Sequence, residues 1–166
     1  MHTRRFAAAV VGLLLGLLGA TSPAGATPGP SLHGSGSVIL PAGFDDATGD
    51  SVRFVVNARG SGDQATGTFN VVHLDDAGGL YAHLLGEVTC LSVVDGVAVM
   101  TGIVRRAWFR DFPGWDITGT AAAVTVADGG ATDTLGFDFE FLMHPITPCG
   151  RVEPFVVVEK GNFTVR

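Results

Sequence analysis

The side chains able to do acid–base, nucleophilic or metal chemistry are few in this sequence, and fewer are neighbours. Of the five histidines, His2, His33, His73, His83 and His144, none sits in a His-x-His or His-Glu-x-x-His pattern or beside a cysteine, so none has metal-ligand spacing. His73 alone stands next to carboxylates, Asp75 and Asp76, the local pairing that general acid–base catalysis uses. The same three residues also suit a strand end entering a turn, and that plainer reading outweighs the catalytic one. Asp45, Asp46 and Asp50 in one segment, and Asp128 with Asp133 in another, offer oxygens to calcium, which takes about six to eight. Their spacing is not that of an EF-hand loop, and turns use Asp and Gly on their own account. No Gly-x-Ser-x-Gly elbow occurs, and Ser35 and Ser61, each between glycines, have no base in view. No catalytic residue is assigned, and no metal or cofactor is expected.

The segment richest in recognition chemistry is Arg105-Arg106-Ala107-Trp108-Phe109-Arg110-Asp111-Phe112-Pro113-Gly114-Trp115. It collects both tryptophans, two phenylalanines and three arginines. Trp and Arg are the residues most enriched at binding hot spots, and loops carry function more often than strands. Trp108, Phe109, Arg110, Phe112 and Trp115 are therefore the candidate binding residues, placed in a long loop. The competing reading, given more weight, is a lid of aromatics over an open barrel end, with the arginines reaching out to solvent.

These residues have to be positioned by strands. Residues 52–59 alternate Val52, Phe54, Val56 and Ala58 with Arg53, Val55, Asn57 and Arg59, the period of two that puts one face on a core and one in water. Residues 135–143 alternate Leu135, Phe137, Phe139, Phe141 and Met143 with Gly136, Asp138, Glu140 and Leu142, which predicts a strand with its acids outward. Between them, residues 66–74, 84–94, 97–106 and 117–127 are rich in Val, Thr or Ile and bounded by Gly and Asp. Residues 36–40, with a start as early as Leu32, and residues 155–165, interrupted at Lys160-Gly161, complete eight strands. Asp95-Gly96 is a tight-hairpin signal, because a type I′ turn needs positive φ at both central positions. The fold class is all-β: a single antiparallel domain of about eight strands, an up-and-down β-barrel in preference to a two-sheet sandwich. A sandwich needs a long cross-connection, and only residues 107–115 or 145–154 offer one. Inward Phe54, Phe69, Phe137, Phe139 and Phe141 predict a filled interior.

The first residues read as a secretory signal peptide: Arg4 and Arg5, an apolar run from Phe6 to Ala20, and the small-residue end Ala24-Gly25-Ala26. Cleavage after Ala26 leaves a leader over residues 27–33 and one domain over residues 34–166. The apolar run is shorter than the ~20 residues a spanning helix needs, so no membrane anchor is expected after cleavage. The chain has ten Lys plus Arg against 16 acids; losing Arg4 and Arg5 makes the balance −8, which repels phosphate backbones and predicts no nucleic-acid partner. Its only two cysteines, Cys90 and Cys149, predict one disulfide in an oxidising compartment.

Residues Gly86-Glu87-Val88-Thr89-Cys90-Leu91-Ser92-Val93-Val94, followed by Val97, Ala98 and Gly102, together with Pro148-Cys149 and the terminal Gly161-Asn162-Phe163-Thr164-Val165, resemble a group of small exported actinobacterial proteins. These share a GxVTCLxVxGNxAxxxG hairpin, a V-x-D-N-G turn, a late Pro-Cys and a terminal GN-[IFV]-x-V strand. The likeness runs from Gly34-Ser35-Gly36 to the end. Here Asp95-Gly96 stands where the group has Gly-Asn, and Asp128-Gly129-Gly130 where it has Asp-Asn-Gly, both of which keep turn chemistry. The shared residues are those of turns, strands and a disulfide, so the resemblance implies a fold and carries no catalytic residue across.

The functional expectation is a secreted, non-catalytic β-barrel module binding a small ligand or a surface partner, through residues 108–115 or inside the barrel. An enzyme with a site at the barrel mouth is the alternative, with His73 or His83 and an acid as its working pair. A secreted inhibitor or interaction protein is the third. The enzyme needs a titratable pair converging in a cavity, and the third reading expects an exposed, disulfide-anchored loop instead of a cavity.

Overall fold

The computed structural model describes residues 29–166; the expected signal peptide over residues 1–26 lies outside them, and the expected leader over residues 27–33 does so only in part. Nine strands follow in order: β1 (Ser31–Ile39), β2 (Ser51–Arg59), β3 (Thr66–Leu74), β4 (Leu80–Val94), β5 (Val97–Phe109), β6 (Ala121–Ala127), β7 (Thr134–Phe139), β8 (Val156–Val157) and β9 (Lys160–Val165). They form one antiparallel sheet in the order β8-β7-β6-β5-β4-β3-β2-β1-β9, curled into a half-barrel. Every neighbouring pair from β1 to β7 is consecutive in sequence, the meander that the short Gly- and Asp-rich turns predict. The β4–β5 hairpin turns at Asp95 (φ 50°) and Gly96 (φ 77°), with Val94 opposite Val97.

The two ends of the sheet are joined by the chain itself. β8 pairs with β7, β9 pairs with β1, and only Val158 and Glu159 lie between them. Glu159 N donates to Ser37 O at 2.9 Å and Val158 N to Asp133 O at 3.0 Å. Where the ladder lacks carbonyls, carboxylates stand in: Asp133 Oδ2 accepts the buried Phe163 N at 2.7 Å, and Asp128 Oδ2 accepts Val165 N at 3.2 Å. Asp128 Oδ1 also takes Gly130 N within its own turn. Two of the acids considered for calcium, Asp128 and Asp133, thus tie the β6–β7 turn to β9, and among the described residues no three His, Cys, Asp or Glu side chains gather as a metal site would require.

Alternation places the core. Val52, Phe54, Val56 and Ala58 of β2 are all buried and Arg53, Val55, Asn57 and Arg59 are outward. Phe54, Phe69 and Phe163 fill one half of the interior. Gly86 and Gly102 make room there, since a Cβ at either position would run into the Phe69 ring. The outer face of β4 to β7 is covered as well. Residues 144–155 cross it as a strap, held by the Cys90–Cys149 disulfide and by two buried hydroxyls, Thr101 accepting Cys149 N and Thr125 accepting Val152 N. The strap is the cross-connection anticipated over residues 145–154, but it lies on a barrel wall and joins no second sheet.

Several boundaries differ from expectation. β1 starts at Ser31, so the domain begins three residues before Gly34: Ser31 N donates to Arg166 O and binds the chain end. The strand expected over residues 135–143 stops at Phe139, where a 3-10 turn (Glu140–Leu142) begins and Met143 takes a left-handed conformation. Glu140 is drawn out of the ladder by Ala121 N, which donates to its carboxylate at 2.8 Å. The strand expected from Ile117 starts at Ala121, because Asp116 caps Thr118 N and Thr120 N turns back to Ile117 O. In the other direction, β5 runs on to Phe109, so Trp108 and Phe109 belong to a strand and not to the long loop.

Candidate functional site

The half of the barrel that phenylalanines do not fill is a cavity of about 820 Å³, within the ~300–1,000 Å³ range of small-molecule sites. The expectation of a filled interior is therefore only half right: Phe54 and Phe69 are sealed, whereas Phe137, Phe139 and Phe141 line open space. Each wall comes from the inward positions at one end of a strand. Val52 of β2, Val71 and His73 of β3, Ala82 and Leu84 of β4, Phe109 of β5, and Phe137 and Phe139 of β7 form the sides. Leu40, Phe44 and Ala47 close it from the segment between β1 and β2, and residues 112–115 with Phe141 and Leu142 form the rim. Trp115 meets Phe141 edge-on at 5.5 Å and lies tilted 4.8 Å from Phe109, while Phe139 and Phe141 stack.

Among the described residues only three that line the cavity, His73, Tyr81 and Trp115, carry polar side-chain atoms. His73 is held by Asp50: its Nε2 lies 2.8 Å from Asp50 Oδ2, and Asp50 is 7 % exposed. The hairpin register makes this pair, because Val52 stands opposite His73 and Asp50 sits two residues before Val52. The Tyr81 ring packs against the imidazole, centroids 4.9 Å apart. Neither neighbouring carboxylate, Asp75 or Asp76, pairs with His73, and the plainer reading of these residues as a strand end entering a turn is the one observed. A bulge at His73 and Leu74 starts the turn, and Asp75 points instead to Arg110, with Gly79 N as its second donor at 2.6 Å.

Arg110 links three elements at the rim. Its guanidinium pairs with Asp75 and Asp111 and lies 5.3 Å above the Tyr81 ring, a cation–π contact. The hydrogen bond from Arg110, reinforced by Gly79 N, holds the Asp75 carboxyl below the usual aspartate range, and Asp75 in turn raises Arg110. Asp116 is likewise lowered by the hydrogen bonds it receives from Thr118. The β3–β4 turn and the segment after β5 are thus clamped beside the mouth by one exposed ion-pair cluster.

The five candidate binding residues divide. Phe109 is buried in the cavity wall, Phe112 and Trp115 are 54 % and 43 % exposed at the rim, and Arg110 stands in the clamp. Trp108 faces the other way, on the outer surface opposite His83, whose Nε2 bonds Asn70 Oδ1. His83, the alternative general base, is therefore outside the barrel, and His144 pairs with Asp138. Tyr81, Ala82 and Leu84 complete the site without having been singled out from sequence, whereas the sequence points Asp50 only to calcium or a turn and Phe141 only to a filled interior. Phe69, Val71 and His73 share one strand face by period two, which is the signal that places His73 inward.

No family model, no curated protein and no solved structure matches this chain. Among the described residues no helix is long and apolar enough to cross a membrane, and the disulfide is compatible with an extracellular protein.

Proposed function

We propose that this protein is an exported binding module that holds a small apolar molecule in the open half of its barrel. The observation that carries the reading is the cavity of about 820 Å³ walled by aliphatic and aromatic side chains, since such a surface gains by removing apolar area from water. Phe112 and Trp115 act as the rim through which the ligand enters. Export is supported by the signal-peptide pattern over residues 1–26 and by the single disulfide, which persists in oxidising compartments. The likeness to small exported actinobacterial proteins belongs to the same proposal. The test is a fluorescence titration with N-phenyl-1-naphthylamine, a neutral probe that brightens in apolar surroundings. The reading expects saturable binding of one probe per chain, weakened at least tenfold by Ala82→Phe, which places a ring in the cavity. Binding unchanged by that substitution places the probe elsewhere and overturns the reading.

One observation favours a second reading, general acid–base catalysis. His73 and Asp50 converge in the cavity wall, and a carboxylate that orients an imidazole is the arrangement such catalysis uses. Hydrolysis of 2-naphthyl acetate that is faster than buffer and lost in His73→Gln would move the function from binding to catalysis.

A further inference from the structure

We infer that the ligand is an apolar molecule bearing a hydroxyl group, which donates its hydrogen bond to Nδ1 of His73. The inference rests on the cavity reading above and assigns the chemical class of its occupant.

The argument starts from Asp50. A carboxylate has no hydrogen to give, so its 2.8 Å contact with Nε2 of His73 places a proton on that nitrogen. In the neutral imidazole the other nitrogen is then a bare lone pair. Nδ1 has no protein partner among the described residues, yet it is not sealed: the one buried side-chain polar atom left without a partner is Oδ1 of Asp133. His73 lines the cavity, and we take its accessible acceptor to be reached from that side. The remaining polar side-chain atoms of the wall are the Trp115 indole, which only donates, and the Tyr81 hydroxyl, which can do either. Among the described residues Nδ1 is therefore the wall's one fixed side-chain acceptor.

A nearly buried Asp–His pair beside so much apolar surface is a costly arrangement. A hydroxyl entering this cavity gives up water and needs an acceptor at once; Nδ1 supplies it, with the tautomer already set by Asp50. Recognition of a hydroxyl by a prepared buried partner also discriminates strongly against the analogue that lacks it.

The experiment is displacement of N-phenyl-1-naphthylamine by 2-naphthol and by 2-methylnaphthalene, near-isosteres of which the methyl compound is the more hydrophobic. A wholly apolar site must prefer the methyl compound. The expected result is that 2-naphthol binds the protein at least as tightly, and that the naphthol-to-methylnaphthalene affinity ratio falls about tenfold in His73→Phe, the worth of one matched buried hydrogen bond. A ratio unchanged by His73→Phe, with both compounds binding, overturns the hydroxyl assignment and leaves the cavity reading standing. Failure of both compounds and of the probe to bind overturns the cavity reading, and the assignment with it. A second measurement is independent of any variant: the ¹⁵N resonances of the His73 imidazole in the intact protein. Nε2 must be the protonated nitrogen before ligand is added, and 2-naphthol must shift Nδ1 while 2-methylnaphthalene does not. Nδ1 found protonated in the free protein at neutral pH, or unmoved at saturation with 2-naphthol, overturns it.

Discussion

Replacing Ala82 by phenylalanine separates a real cavity from a packed wall by the sign of one number. Ala82 lies between His73 on β3 and Phe109 on β4's other neighbour, β5, and faces the cavity with them. A ring at this position adds roughly 100 Å² of apolar surface, worth about 2.5 kcal/mol if it is fully removed from water at ~25 cal/mol per Å². Ordering the ring costs about 0.5–1 kcal/mol, and the open mouth leaves part of it wet. The net expectation is a gain of about 1–2 kcal/mol in unfolding free energy, or a rise of roughly 3–6 °C in Tm for a domain of this size. An interior without space gives the opposite sign, because inserting atoms into a packed core costs about 1–3 kcal/mol. The assay is urea unfolding followed by tryptophan fluorescence, paired with the probe titration. Stabilisation with weakened probe binding is the predicted outcome. Destabilisation of 1 kcal/mol or more with probe binding intact would refute the reasoning.

Three further outcomes follow from the same geometry. Removing the disulfide by Cys90→Ala with Cys149→Ala frees a strap closed over a separation of 59 residues; the chain-entropy estimate is a loss of about 4 kcal/mol, measured by urea unfolding, with early hydrogen exchange at the amides of Cys149 and Val152 marking where the strap lifts. Asp133→Ala leaves the buried Phe163 N without its acceptor and is expected to cost about 1–3 kcal/mol; Asp133→Asn retains an acceptor oxygen and is expected to cost less, and equal losses in the two variants would contradict the latch. The Asp75 carboxyl, lowered by Arg110, is expected to titrate below the ordinary aspartate range by NMR. The stability it contributes is present above the unfolded value and is lost as pH falls through the lowered folded one, and Arg110→Ala is expected to move the titration midpoint back up.

The strands were legible because period two survives wherever one face is buried and the other wet, as in β2, and because Asp95-Gly96 permits a turn that few residue pairs permit. What hid the end of β5 was a bulge. Val104 is paired with Gly86 and Arg106 with Leu85, so Arg105 is an extra residue, and the alternation slips phase at Arg105-Arg106. A pattern of two exposed arginines followed by Ala107, Trp108 and Phe109 then resembles the start of a loop, although Phe109 is again an inward strand position. The site was less legible than the fold. His73 and Asp50 are 23 residues apart, and only the register of the β2–β3 hairpin joins them, whereas the nearer Asp75 is taken by an arginine 35 residues away. Nor does the sequence distinguish inward phenylalanines that fill from those that line. Phe69 is enclosed because Gly86 and Gly102 let the neighbouring strands close on it; Phe139 and Phe141 lie at the end where the strands stop and the cavity opens.

The measurement closest to the central claim is an NMR experiment that detects intermolecular NOEs between bound N-phenyl-1-naphthylamine and the side chains of the intact protein. The account predicts NOEs to the methyl groups of Val71 and Leu84 and to the rings of Phe139 and Phe141, all of which face the cavity. NOEs confined to outer-surface residues such as Trp108 and Val55, with none to those four, would contradict it.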